Sequence, residues 1–219
     1  MNNIHKIVNL KKHPIINSIK YINECYYKLK NKSVLQLDNF LTLEVLEALQ
    51  KEANGLRKDA FYCSQNHTIL LNKKNINYKG DDPCNIEVKS DKGCIPHDMI
   101  DKNSFLNKLY KSKYFIEFIK KTLNVKNIYP YKDKLSSINY NFYEKKQQLG
   151  WHFDNASFAI TLMISSPDKG GVFEYFAKGR NYEKNYINKK LIKKVLDKKV
   201  KINKLKVNPG TLILFYGRN

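Results

Sequence analysis

Apolar positions along the 219-residue chain follow two periods, and the changes from one to the other divide it into elements. Ile15, Ile16, Ile19, Ile22, Tyr26 and Leu29 recur at helical spacing behind Pro14, a residue that a first helical turn tolerates. They predict an amphipathic helix packed on something larger. Residues 33–37 read as a short strand. Thr42 predicts the N-cap of a second helix, with an apolar stripe of Val45, Leu46, Leu49 and Ala53 and an end near Gly55. Residues 60–63 and 68–71 read as strands around Gln65 and Asn66. No period survives from Asn72 to Asp101, where Gly80, Pro83, Gly93 and Pro96 mark a long loop of the kind that often serves as a lid. His97 lies in that loop and reads as a solvated histidine, with approach to a metal as the alternative. Phe105, Leu109, Phe115, Phe118, Ile119 and Leu123 predict a helix or a broken pair, closed by Tyr129, Pro130 and Tyr131.

Alternation by twos begins at Leu135. It sets Ser137, Asn139, Asn141 and Tyr143 on one face and Ser136, Ile138, Tyr140 and Phe142 on the other. The amide and phenol face meets either solvent or a bound molecule, and periodicity does not choose between them. If it turns inward, Asn139, Asn141 and Tyr143 are the candidate contacts for a cosubstrate or substrate, with Thr161 on the next apolar strand a further one. Gly170 and Gly171 turn the chain into an alternating strand. Ile187, Leu191, Val195 and Leu196 form one stripe of a lysine-rich helix, which reads as a solvated cover and, as the alternative, as a face for membranes or acidic partners. Pro209 and Gly210 then turn the chain into the apolar run of residues 211–216.

The chemistry concentrates at Gly150-Trp151-His152-Phe153-Asp154-Asn155. Residues two apart on a strand leave the same face about 6.6 Å apart. His152 and Asp154 would therefore point together and Trp151 and Phe153 the other way. One imidazole and one carboxylate are two of the three ligands in the 2-His-1-carboxylate set that holds non-haem Fe(II) with open positions. A His-x-Asp triplet alone is weak evidence, because it also occurs in surface loops.

The order of a His-x-Asp segment, a Gly-Gly strand, a Pro-Gly turn and an apolar strand resembles the Fe(II)/2-oxoglutarate-dependent oxygenases. With the stretch 128–141 it is similar to their branch of free amino acid hydroxylases and related radical halogenases, over residues 34–219. The resemblance implies an α+β fold built on a double-stranded β-helix, a jelly-roll or cupin-like barrel with flanking N-terminal helices and without its last strands. It implies one domain over 1–219, with a helical flank at 1–33, a helical buttress and loop at 34–134 and the barrel core at 135–219. Implied cofactors are Fe(II), held by His152 and Asp154, and 2-oxoglutarate, with Asn155 as a neighbour that holds Asp154. Halogenases of the branch have Gly at the carboxylate position, so Asp154 implies hydroxylation of an unactivated C–H in a small, amino-acid-like substrate, with O2 as the oxidant. The family's distal His and its cosubstrate Arg would follow Asn219. His5, His13, His67 and His97 all precede the motif, so the third ligand is expected to be absent from this chain. That leaves an inactive truncated relative as one alternative and an oxygenase of nucleic acid or protein as another.

Composition narrows these readings. A formal charge of +20 invites nucleic acid, yet only Arg57, Arg180 and Arg218 among the 40 basic residues are arginines. Proteins that grip phosphate bidentately favour arginine, so the excess of Lys, Asn and Ile reads as codon bias. No run of about 18 apolar residues occurs, and Met1 to Val8 lack the apolar segment of a signal peptide, so a cytoplasmic protein without a membrane span is expected. Cys25, Cys63, Cys84 and Cys94 have no zinc-like spacing and read as reduced thiols, with a Cys84 to Cys94 pair as the alternative. Oligomeric state is left open.

Overall fold

The computed structural model describes residues 4–218. Residues 1–3 and Asn219, the outermost positions of the domain and leader readings above, lie outside them. A short helix α1 (Ile4–Ile7) precedes α2 (Ile19–Lys32), which is capped by the Ser18 hydroxyl accepting from Tyr21 N. The helix starts later than its apolar spacing suggested, because Ser18 ends the preceding turn. Ile15 is buried in that turn, whereas Ile19 faces solvent. Next come β1 (Val34–Leu37) and α3 (Leu43–Leu56). Thr42 precedes α3 as expected, but its hydroxyl donates to Lys6 O at 2.6 Å instead of capping the helix.

The expected strands at 60–63 and 68–71 are replaced by one continuous strand, β2 (Phe61–Thr68). The expected loop at 72–101 is also corrected, since it contains the ten-residue strand β3 (Glu87–Pro96). Gly93 is a strand residue here. The Tyr62 ring lies across it so closely that a Cβ would stand 2.8 Å from the ring. After β3 come α4 (Phe105–Tyr110), α5 (Lys113–Leu123) and β4 (Asn139–Phe142).

The chain continues through β5 (Ala159–Leu162), β6 (Phe173–Tyr175), β7 (Arg180–Asn181), β8 (Tyr186–Ile187), α6 (Lys189–Leu196), β9 (Asn203–Leu205) and β10 (Leu212–Phe215). Among the described residues the strands form antiparallel sheets ordered β1-β10-β5, β2-β3-β4, β6-β9 and β7-β8. The architecture is mixed α and β, and these sheets close no barrel.

The main core packs Leu29, Phe40, Leu49, Phe118, Ile95 and Leu214 between the N-terminal helices and the inner faces of the two larger sheets. A second, smaller cluster joins Ile69, Cys84 and Ile192, with Phe153, Ile187 and Leu196 packed against it. Here α6 is amphipathic as expected, but its buried residues are Ile192 and Val195, while Ile187, Leu191 and Leu196 of the expected stripe are half-buried and Lys193 and Lys194 are exposed. Lys189 reaches Asp82 at 2.5 Å, fixing the helix as a cover over residues 82–85. All four cysteines are free thiols.

Candidate metal centre

Residues 151–158 belong to no strand, contrary to the expectation for His152 and Asp154. Their backbone groups go to two different partners. Phe153 N donates to Ile69 O at 2.8 Å and Asp154 N donates to Gly217 O at 2.7 Å. The segment is thus stretched between the turn after β2 and the residues after β10. The side-chain sorting expected of an extended chain still holds. Phe153 turns into the small cluster with Ile69 and Ile192, while His152 Nε2 and Asp154 Oδ1 meet at 3.3 Å.

His152 is fixed from behind. Its Nδ1 lies 2.7 Å from Gly150 O, an atom that only accepts, so Nδ1 carries the proton and Nε2 is the lone-pair nitrogen of the neutral ring. Gly150 N donates to Ser90 Oγ at 2.9 Å, and Ser90 Oγ lies 2.6 Å from His67 Nε2. His67 Nδ1 lies 2.8 Å from Thr68 O and must donate to it, which makes Nε2 the acceptor of the Ser90 hydroxyl proton. The buried His67 ring stands edge-on to His152, with centroids 6.1 Å apart. Asp91 completes the brace: its N donates to Gln148 O at 2.8 Å, and its carboxylate accepts from Gln148 N at 2.7 Å. Neither His67 nor Ser90 was picked out from sequence. Their only signal would have been residence on strands facing the motif, which a polar β3 concealed.

The neutral imidazole therefore aims a lone pair at a carboxylate oxygen. That arrangement calls for a positive charge between them, a proton or a metal ion. Burial lowers the His152 pKa, but the bond to Asp154 and the Gly150 carbonyl outweigh it, and the net direction is upward. For metal–ligand bonds of about 2.1 Å, two adjacent ligand atoms stand about 3.0 Å apart, so the observed 3.3 Å fits a shared ion. Both side chains are largely shielded, at 19% and 26% exposure. Gly217 lies against the carboxylate, where a Cβ would stand 2.6 Å from Asp154 Cβ. Among the described residues no group of three or more His, Cys, Asp or Glu side chains could hold a metal ion.

The remaining candidates disperse. Asn139 and Asn141 lie on β4 and are joined by a 2.7 Å bond, with Tyr143 just beyond the strand end. Thr161 lies on β5, opposite Ile213 in the other three-stranded sheet. Asn155 holds Arg218 through its backbone oxygen, which accepts from Nε at 2.6 Å, and its side chain is exposed. His97 is half-buried. Its Nδ1 lies 2.6 Å from Ser137 Oγ and its Nε2 lies 2.8 Å from Asn107 Oδ1, which ties the turn after β3 to α4 and to the segment before β4. Among the described residues no helix is long and apolar enough to cross a membrane.

No curated protein matches the chain. A family model described as Halogenase D matches residues 18–217, a span that includes the His152 and Asp154 pair and every element from α2 to β10. By that match the chain belongs to the Halogenase D family.

Proposed function

We propose that the chain is a non-haem Fe(II)- and 2-oxoglutarate-dependent oxygenase that hydroxylates an unactivated C–H bond of a small, amino-acid-like molecule. The observation that carries this reading is the convergence of His152 Nε2 and Asp154 Oδ1 at 3.3 Å with Nδ1 tied to Gly150 O. Ligating histidines are commonly fixed in this way, by a carbonyl that holds the far ring nitrogen and sets the tautomer.

His152 and Asp154 would hold the iron. When bound, iron and 2-oxoglutarate supply the oxidising power, with O2 splitting the keto acid to succinate and CO2 and placing its second oxygen atom on substrate carbon. The protein's own residues position and shield. Phe153, half-buried, packs against the small cluster of Ile69 and Ile192 and so anchors the segment. Gly217 lies so close to Asp154 that any side chain there would collide with the carboxylate.

Membership of a halogenase family favours a second outcome, transfer of chloride. The resemblance to halogenases with Gly in place of the carboxylate weighs against it, because Asp154 occupies the position that halide would need. Incubation with Fe(II), 2-oxoglutarate, O2, chloride and a panel of amino acids should yield succinate and a product heavier by one oxygen. A chlorinated product would favour the second outcome, and absence of succinate with every amino acid would remove support for both.

A further inference from the structure

Asp154 stands between two residues that a single hairpin holds. In that hairpin β7 and β8 pair Arg180 with Ile187 and Asn181 with Tyr186, and Asn188 N donates to Gly179 O at 2.9 Å to close its base. The base lies on Phe153. A Cβ on buried Gly179 would stand 3.0 Å from the Phe153 ring, and the Arg180 guanidinium lies over the same ring at 5.7 Å. Arg180 also lies over the Tyr182 ring at 4.8 Å, and Arg218 lies over that ring at 4.2 Å. Arg218 Nε then donates to Asn155 O at 2.6 Å. The ladder Phe153, Arg180, Tyr182, Arg218, Asn155 thus starts and ends on the two neighbours of Asp154. Gly217, next to Arg218, accepts from Asp154 N at 2.7 Å, so consecutive residues after β10 hold consecutive residues of the metal segment.

In a chain so dominated by lysine, two of the three arginines belong to this ladder. A lysine ammonium is a point charge on a flexible stem, whereas a planar guanidinium lies flat on a ring and donates from Nε at the same time. Arg218 does both, stacking on Tyr182 while its Nε holds Asn155. Among the described residues neither Arg180 nor Arg218 pairs with a carboxylate, which leaves the Tyr182 ring as their shared partner. Each stacking contact is weak alone. Their arrangement in series gives Tyr182 its weight, because loss of that one ring releases both arginines.

We propose that Tyr182, with Arg180 and Arg218, is a positioning device that clamps the residues on either side of Asp154 and so holds its carboxylate where His152 Nε2 meets it. The proposal rests on the reading of His152 and Asp154 as metal ligands. Tyr182→Leu removes the ring, Tyr182→Phe keeps it, and Arg218→Lys keeps the charge without the planar stack. Amide exchange in the metal-free protein reads the clamp itself. Co(II), standing in for iron, reads its effect on the pair through the fluorescence of Trp151, the single tryptophan, which precedes His152.

In metal-free Tyr182→Leu and Arg218→Lys, the amides of Asp154 and Gly217 should exchange about tenfold faster than in wild type, while those of Leu212, Ile213 and Leu214 keep their rates. Both variants should bind Co(II) about tenfold more weakly, as for residues that orient metal ligands. Tyr182→Phe should stay within about twofold of wild type in both measurements. Unchanged exchange at Asp154 and Gly217, equal acceleration along β10, or an equal loss in Tyr182→Phe would overturn the clamp. So would local loosening that leaves Co(II) affinity as in wild type. Failure of Co(II) to bind wild type would overturn the metal reading, and the exchange rates would still decide whether the clamp holds Asp154.

Discussion

A ring nitrogen whose lone pair faces a carboxylate oxygen at 3.3 Å is held there by its surroundings, and for His152 those surroundings are a chain of four further residues. The chain of bonds from Thr68 O through His67, Ser90 and Gly150 to His152 Nδ1 fixes the tautomer that leaves Nε2 free. Ser90→Ala should therefore weaken Co(II) binding about tenfold or more, within the range for residues that orient ligating histidines. It should also cost about 1–3 kcal/mol of stability by leaving His67 Nε2 without a donor. Ser90→Thr, which keeps the hydroxyl, should retain most of both. Paired metal titrations and urea unfolding of the two variants check this. His13 gives a prediction about pH. It is buried, with Nε2 donating to Asp38 O at 2.9 Å, and burial pulls its pKa below the ordinary value. The unfolded chain takes up the proton first, at about pH 6.5. Stability from neutral His13 is thus complete above that pH and is lost as pH falls toward the lowered folded value. His152, with a raised pKa, runs the other way and loses its contribution as pH rises. Relative to wild type, urea midpoints of His13→Gln should accordingly fall less, or rise more, as pH is lowered from about 7 to 5.

At the scale of elements, apolar strands and helices were legible and polar ones were not. The apolar run after Pro209 and Gly210 could be read because β10 is the central strand between β1 and β5, with Leu212, Ile213 and Leu214 wholly buried. The pattern of β3 could not, because Glu87, Lys89, Asp91 and Lys92 give it no alternation, and its partner β2 faces solvent along most of its length. Gly93 and Pro96 read as loop residues for good local reasons. Contact with the Tyr62 ring makes Gly93 a strand residue, and Pro96 is only the last residue of the strand. The His152 segment was misread in the opposite sense. Its extended shape was legible, but its hydrogen bonds to Ile69 and Gly217 are distant in sequence and have no local trace. Since β10 carries the load of its sheet, Leu214→Ala should cost about 2–5 kcal/mol, measured as a drop in the urea midpoint with little change in slope. The same exchange at exposed Leu43, the first residue of α3, should cost less than about 0.5 kcal/mol.

Across the whole molecule, the two larger sheets and the small cluster around Ile69 and Ile192 meet at one segment, residues 150–155. β2 and β3 hold it through Ile69 O and Ser90, α6 packs behind Phe153, and the end of β10 presents Gly217 to Asp154. The α+β class expected from sequence agrees with this mixture of helices and antiparallel sheets, and the strands described close no barrel. The charge of +20 includes lysines on the solvated face of α6, among them Lys193 and Lys194. The measurement that tests the account most directly is a titration of wild type, His152→Ala and Asp154→Ala with Co(II), followed by Trp151 fluorescence, with urea unfolding as the control for folding. The account predicts saturable quenching in wild type and at least tenfold weaker binding in each variant, with both variants folded. Wild type that does not respond to the metal, or folded variants that bind it as tightly as wild type, would contradict it.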